Sequence, residues 1–236
     1  MQKKLVIIPT YNEIENIAAI TEAVFAQGDY HILVIDDGSP DGTAAAVKEL
    51  QKKHSERLFL LERSGKLGLG TAYVAGFKWA KERLYDYIFE MDADFSHNPD
   101  DLPRLLDACE DGGADLSIGS RYADGVSVVN WPIGRILMSY GASRYVRTVL
   151  RTHITDNTAG FMCYSRRVLE AIDLDNVKMK GYGFQIEMKY TAVKKGFKAV
   201  EVPVIFVNRK AGTSKMSGSI FGEAFWGVLA LRFRKF

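Results

Sequence analysis

The sequence predicts an α/β fold with a mostly parallel central sheet and helices on both faces. Two observations carry this. Short, uninterrupted apolar runs alternate with segments of helical periodicity, the pattern of strands buried on both sides. Polar clusters rich in Asp, Gly and Pro stand where the apolar runs stop.

KLVIIP at 4–9 opens the series as a β-branched strand, and a helical pattern with Ile14, Ile17, Ile20 and Val24 begins at Asn12 or Glu13. HILVID at 31–36 is the second strand, with a helix at 43–54 after it. A strand at 57–62 and a helix at 70–84, with Tyr73, Phe77 and Ala80 on one face, follow. Residues 87–91 form a strand, 99–110 a helix opened by Pro-Asp-Asp, and 115–120 another strand. The second half is less regular: a long helix at 133–151, a strand at 158–165, a helix at 185–195 and a last strand at 198–206. No repeat or linker interrupts the chain, so one domain with two functional halves is expected.

Composition narrows the function. An apolar fraction of 47% over 236 residues supplies a sizeable core, and a net charge of +2 gives no basis for a nucleic-acid partner. Cys109 and Cys163 lack metal-ligand or redox spacing and read as reduced, buried side chains. The N-terminal apolar run is too short for a signal-peptide core, and no window holds the ~18 apolar residues of a membrane span. A cytoplasmic location is expected. His31, His54, His97 and His153 form no triad or ligand pair, and His97 is expected to support or cap the aspartate cluster beside it. LGLGTA at 67–72 lacks the last glycine of a dinucleotide fingerprint, which argues against a nicotinamide site.

Four polar clusters fall at the carboxyl ends of predicted strands: PTYNE at 9–13, DDGSPDG at 36–42, DAD at 92–94 and GSRY at 119–122. Ligands of open α/β sheets bind outside that edge. Asp92 and Asp94, one residue apart, repel unless a cation lies between them or one is protonated. Hard carboxylate oxygens suit Mg²⁺ or Mn²⁺, which share their shell with substrate phosphates. Paired aspartates therefore point to a diphosphate bridged to the protein by a metal. Asp37 is expected to meet a base or ribose.

Taken together, PTYNE, IDDGSPDG at 35–42, KLGLGTAY at 66–73, MDADFSHNP at 91–99, GSRY, GYGFQIEM at 181–188 and the set Asn208, Arg209, Ser214 and Lys215 resemble the inverting glycosyltransferases of family 2. Within that family they are most similar to the dolichol-phosphate mannose synthases. The resemblance implies a single GT-A type, Rossmann-like domain at 1–218, with a nucleotide-sugar half at 1–125 and an acceptor half at 126–218. It implies that Pro9, Tyr11, Glu13, Ile35 and Asp37 hold the nucleotide of GDP-mannose. Asp92, Ala93 and Asp94 would hold ribose, diphosphate and Mg²⁺ or Mn²⁺. Arg121, Arg209 and Lys215 would neutralise the phosphates, and Asp94, Arg121, Arg209 and Lys215 would carry catalysis. Some relatives have Gln as a metal contact two residues after the second aspartate, where this chain has Ser96.

The implied reaction transfers mannose to the phosphate of dolichyl or polyprenyl phosphate. Such an acceptor needs no general base, since its second pKa of about 6 leaves it ionised at neutral pH. Donation from UDP-glucose or another nucleotide sugar, and transfer to a polysaccharide, are the alternatives. On the acceptor side, Arg135 and Ser139 lie four apart on one helix face and join Arg121 as candidate contacts to the acceptor phosphate. Asp156 and Gln185 are expected near the sugar. Arg144, Arg147 and Arg151 continue the helix as a basic face, either solvated or part of the acceptor site. Residues 219–236, SIFGEAFWGVLALRFRKF, read as an amphipathic helix with aromatic bulk and terminal cations. It is expected to lie in the cytoplasmic membrane surface, on the domain, or on a separate membrane subunit.

Overall fold

The computed structural model describes residues 2–179, 181–208 and 219–234. Seven strands make the main sheet: β1 (Lys4–Thr10), β2 (His31–Asp36), β3 (Leu58–Glu62), β4 (Tyr87–Glu90), β5 (Leu116–Ser120), β7 (Met162–Ser165) and β8 (Ala199–Pro203). Their order is β3-β2-β1-β4-β7-β5-β8. β7 runs against its two neighbours, β4 and β5, and every other pairing is parallel. The expectation of a mostly parallel sheet therefore holds. β1, β2, β4 and β5 all end at one edge, where the four polar clusters emerge. Chain order reverses at β1, so a crevice opens between the ends of β1 and β4.

Alternation along each strand divides the core between two faces. Leu5, Ile7, Leu33 and Ile35 point to the side covered by α3 (Leu69–Glu82), α6 (Arg166–Ala171) and α7 (Tyr182–Lys194). Val6, Ile8, Ile32 and Val34 meet α1 (Ile17–Phe25), α2 (Thr43–Lys53) and α4 (Leu102–Glu110). Gly76 lets α3 approach closely: a Cβ there would lie 2.8 Å from Ile7 Cδ1 and 2.9 Å from Ile35 Cδ1. Each fully buried Leu, Ile or Phe contributes roughly 1.5–3 kcal/mol relative to exposure.

Outside this sandwich, α5 (Ile133–Leu150) and α8 (Ser219–Arg232) lie against each other and against α7. Val146, Leu150, Ile186, Tyr190, Val228 and Leu231 form a third, smaller core there. A separate two-stranded parallel ribbon pairs β6 (Val128–Val129) with β9 (Phe206–Val207).

Several boundaries move from those read in the sequence. The strand expected over 158–165 is confined to its last residues, because 155–160 serve as a hydrogen-bonded loop instead. The first helix starts at Ile17 rather than Asn12 or Glu13, because Asn12 takes a left-handed conformation (φ 58°). Among the described residues, no helix is long and apolar enough to cross a membrane.

Candidate active site

The loops after β1 and β2 are laced together. The Asn12 N–H donates to Ser39 Oγ at 3.0 Å, Glu13 N–H to Thr43 Oγ1 at 3.0 Å, and Ile14 N–H to Asp41 Oδ2 at 3.1 Å. Asp36 accepts from the Thr10 hydroxyl and from the Ser39 amide and hydroxyl. Asp36 and Asp41 are thus turn residues, which aspartate suits by accepting from nearby backbone N–H groups. Asp37 faces elsewhere and receives both Nε (2.6 Å) and Nη2 (2.7 Å) of Arg63. Tyr11 lies half-buried at the same edge, with Lys66 Nζ 5.1 Å from its ring centre. Pro9 and Ile35 pair across β1 and β2. The Ile35 side chain is fully buried in the core.

Asp92 and Asp94 follow β4 at the crevice. Asp94 is buried and accepts the Ser96 amide at 3.0 Å, and Phe95 between them has φ 60°. A non-glycine residue in this region carries strain that the surrounding contacts must hold. His97 supplies one such contact: its Nδ1 accepts the Asp92 N–H at 3.1 Å, and its ring stacks on Phe161. Burial pushes the His97 pKa down, in keeping with a neutral imidazole that accepts at Nδ1. His97 therefore buttresses the aspartate loop.

Among the described residues, no group of three His, Cys, Asp or Glu gathers to enclose a metal. What stands here is two carboxylates with the Ser96 hydroxyl, buried and without a hydrogen-bond partner. A set of hard oxygens too small for a complete shell fits a divalent cation that shares its coordination with a substrate phosphate.

Arg121 lies buried where β5 ends. Its Nε and Nη2 donate to Asp156 at 2.7 and 2.6 Å, and Nη2 also reaches Thr158 Oγ1 at 2.8 Å. Burial pushes the Asp156 carboxyl up, but the charge and hydrogen bonds of Arg121 outweigh it and hold the pKa below the ordinary value. Asp156, expected near the sugar, is fully buried behind Arg121.

Trp131 joins the second arginine: the guanidinium carbons of Arg135 and Arg121 lie 3.9 and 5.6 Å from its ring centre. Arg135 also donates to Asn208 Oδ1 at 3.1 Å, and Ser139 accepts the Tyr122 hydroxyl at 2.8 Å. The structure thus brings Arg121, Arg135 and Ser139 into one neighbourhood around aromatic rings. Arg144, Arg147 and Arg151 are exposed, a solvated basic face. Arg209 and Lys215 lie outside the described residues.

Beneath the aspartates lies a polar layer that sequence reasoning missed apart from Gln185. The Gln185 amide donates to Glu90, the last residue of β4. Lys189, one turn along α7 and fully buried, donates to the carbonyls of Ala159 (2.6 Å) and Asn157 (3.1 Å). Burial drives the Glu90 pKa up and the Lys189 pKa down. Glu90 was signalled by being a charged residue inside an apolar run, whereas Lys189, among Gln185, Glu187 and Lys194 on its helix, carried no such signal.

The comparisons agree with this geometry. A family model described as glycosyl transferase family 2 matches residues 5–173. The polyprenol monophosphomannose synthase of Mycolicibacterium smegmatis is 51% identical over 233 residues, covering 96% of this chain and 88% of that protein. The undecaprenyl-phosphate mannosyltransferase of Micrococcus luteus is 47% identical over 232 residues, covering 96% and 94%. Among solved structures, glucosyl-3-phosphoglycerate synthase of Mycobacterium tuberculosis, in complex with Mn²⁺, UDP and glucosyl-3-phosphoglycerate, superposes with a TM-score of 0.66 at 17% identity, covering 98% of this chain and 80% of that one. A mannosyltransferase from Pyrobaculum calidifontis, in complex with GDP-Man and Mn²⁺, gives 0.58 at 18% identity, covering 98% and 70%. At such identities the likeness shows the fold, which is of the expected GT-A type. By family model and by sequence identity along nearly its whole length, the chain belongs to glycosyl transferase family 2, in the branch of the polyprenol-phosphate mannose synthases.

Proposed function

We propose that this glycosyltransferase moves mannose from GDP-mannose, with inversion, onto the phosphate of dolichyl or polyprenyl phosphate. The observation that carries the reading is the state of Asp156. The carboxylate beside the acceptor-side arginines is committed to two nitrogens and the backbone amide of Arg121. Its lowered pKa makes it a poor proton acceptor. An acceptor hydroxyl would need a base there, whereas a lipid phosphate arrives already ionised.

In this reading Pro9, Tyr11, Glu13, Ile35 and Asp37 line the nucleoside end. Asp92 and Asp94 would hold Mg²⁺ or Mn²⁺, which when bound stabilises negative charge on the departing diphosphate. Arg121 and Arg135, fixed by Asp156 and Trp131, draw the acceptor phosphate toward the sugar against the repulsion of a second anion. Ser139 orients that phosphate. Arg209 and Lys215 are assigned to the phosphates by resemblance.

The lipid reaches the site at the cytoplasmic membrane surface. On α5 the side chains of Ile133, Leu137 and Met138 are exposed, and on α8 Trp226 and the following Phe233 are 70% and 84% exposed. Apolar side chains displayed on two helices that touch suit a lipid interface, engaged directly or through a separate membrane subunit. Mannose, rather than glucose, is supported by the two relatives at 51% and 47% identity, whose names specify mannose.

The test supplies polyprenyl phosphate, Mg²⁺ or Mn²⁺, and labelled GDP-mannose or UDP-glucose. Organic-soluble label is expected from GDP-mannose. Label from UDP-glucose alone would overturn the donor, and transfer to an oligosaccharide without lipid would overturn the acceptor.

A further inference from the structure

Arg63, directly after β3, belongs to no motif and is absent from the site residues assigned so far. It nevertheless touches three segments of the nucleoside edge. Its amide donates to the Asp36 carbonyl at 2.8 Å, which fixes the start of the loop at 63–68. Its side chain grips Asp37 at two points, and both side chains are only about a tenth exposed (10% and 9%). Nη1 donates to Thr71 Oγ1 at 2.9 Å and Nη2 to the Gly68 carbonyl at 3.4 Å, so the same guanidinium ties the start of α3 to Asp37.

Two further contacts join the loop itself to the same edge. Gly38, next to Asp37, has φ 69°, and a Cβ there would lie 3.4 Å from Gly65 Cα, so the two loops meet backbone to backbone. Lys66, from the same loop, lies over Tyr11. The 63–68 loop therefore stands directly beside Asp37 and Tyr11, the residues read above as the nucleoside end.

We propose that Arg63 is the positioning residue of the nucleoside pocket. It holds the Asp37 carboxylate in one orientation toward the base or ribose, and it holds the 63–68 loop beside Tyr11. The proposal rests on the nucleotide reading of Asp37 given above. Four of the five guanidinium N–H groups of Arg63 already have protein acceptors, so its part is to order the site rather than to clamp a phosphate. A carboxylate has about four lone-pair directions, and two parallel bonds from a guanidinium leave the others for N–H or O–H donors of the nucleoside. A fixed carboxylate binds such donors without first losing side-chain freedom.

The test compares Arg63→Met and Arg63→Lys with the unaltered protein, using two ligands: GDP, and inorganic diphosphate, which has no nucleoside. For R63M, affinity for GDP is expected to fall about 10- to 30-fold, with the KM for GDP-mannose rising in step. The kcat should stay within about threefold and diphosphate affinity should not change. R63K keeps the charge but loses the two-point grip, and should fall between; it carries the test should R63M not fold. Equal weakening of GDP and diphosphate would mean general loosening of the site and would overturn the proposal. So would unchanged GDP affinity in both variants. If the unaltered protein fails to bind GDP, the nucleotide reading falls instead, a result distinct from either.

Discussion

At the ends of β1 and β2, backbone N–H groups of residues 12–14 terminate on side chains of residues 39–43, and Asp37 is clasped by Arg63. Around α5, Arg135 lies over the Trp131 indole and donates one hydrogen bond to Asn208, Tyr122 donates to Ser139, and apolar side chains stand open to solvent. Among the described residues there, only Arg121, held at two points by Asp156, matches the grip seen at Asp37. The first arrangement is short-range and directional, which would suit the rigid nucleotide of the proposed function. The second is softer: aromatic faces hold positive charge in place while tolerating small shifts of ring and guanidinium. On the proposed function, a donor of fixed shape and an acceptor trailing a lipid chain would place different demands on a site, and the two regions differ in the matching sense.

The largest effect is expected where the halves meet. Asp94→Ala should lower turnover by about 10³-fold, since charge on the leaving diphosphate loses its main stabiliser. The melting temperature should move little. Transfer assays across a Mn²⁺ titration check this, and near-normal turnover would break the link between the two halves.

Trp131→Ala tests the softer half alone. With its arginines no longer stacked, kcat/KM for polyprenyl phosphate should drop about tenfold, while GDP binding by calorimetry stays within about twofold. Equal losses on both sides would show that the regions are not separable.

Replacing Trp226 and Phe233 together by Ala addresses the exposed surface. Partitioning onto anionic vesicles in a sedimentation assay should fall several-fold, through lost burial of apolar area in the interface, with an unchanged KM for the donor. Unaltered sedimentation would remove α8 from the membrane reading.

The last effect concerns the layer beneath and is read in stability rather than in turnover. Burial raises the Glu90 pKa from 4.5 to about 8. The folded state therefore keeps a proton that the unfolded chain releases, and stability falls as pH rises from about 4.5 to 8. Lys189 acts in the opposite sense above that window, where the folded state releases its proton before the unfolded chain does. Thermal melts of the protein and of Glu90→Gln between pH 5 and 8 should show a decline that the variant flattens. Identical slopes would mean that Glu90 titrates normally.

Much of this was legible in advance. The first strands were readable because a parallel strand buried on both faces is a near-continuous apolar run, as β1 and β2 are and as β4 is up to Glu90. The edge that carries the site followed from where those runs stop. The third sheet neighbour of the site was harder. β7 lies between β4 and β5 although the chain reaches it only after α5, and nothing in MCYS announces an antiparallel partner. Asp156 was visible as a polar residue near the site, but its pairing with Arg121 spans 35 positions.

Sequence alone determined the strand–helix alternation, the shared edge and the paired aspartates, because these depend on periodicity and on residues adjacent in the chain. Tertiary structure decided which aspartates are turn residues and which side chains hold them. It placed Trp131 between two arginines, His97 under Asp92, and Lys189 beneath the 156–160 loop. The physical reason is range. Local hydrogen-bond chemistry and apolar patterning leave a mark in neighbouring residues, whereas an ion pair or a buried ammonium exists only once distant segments have been folded against each other.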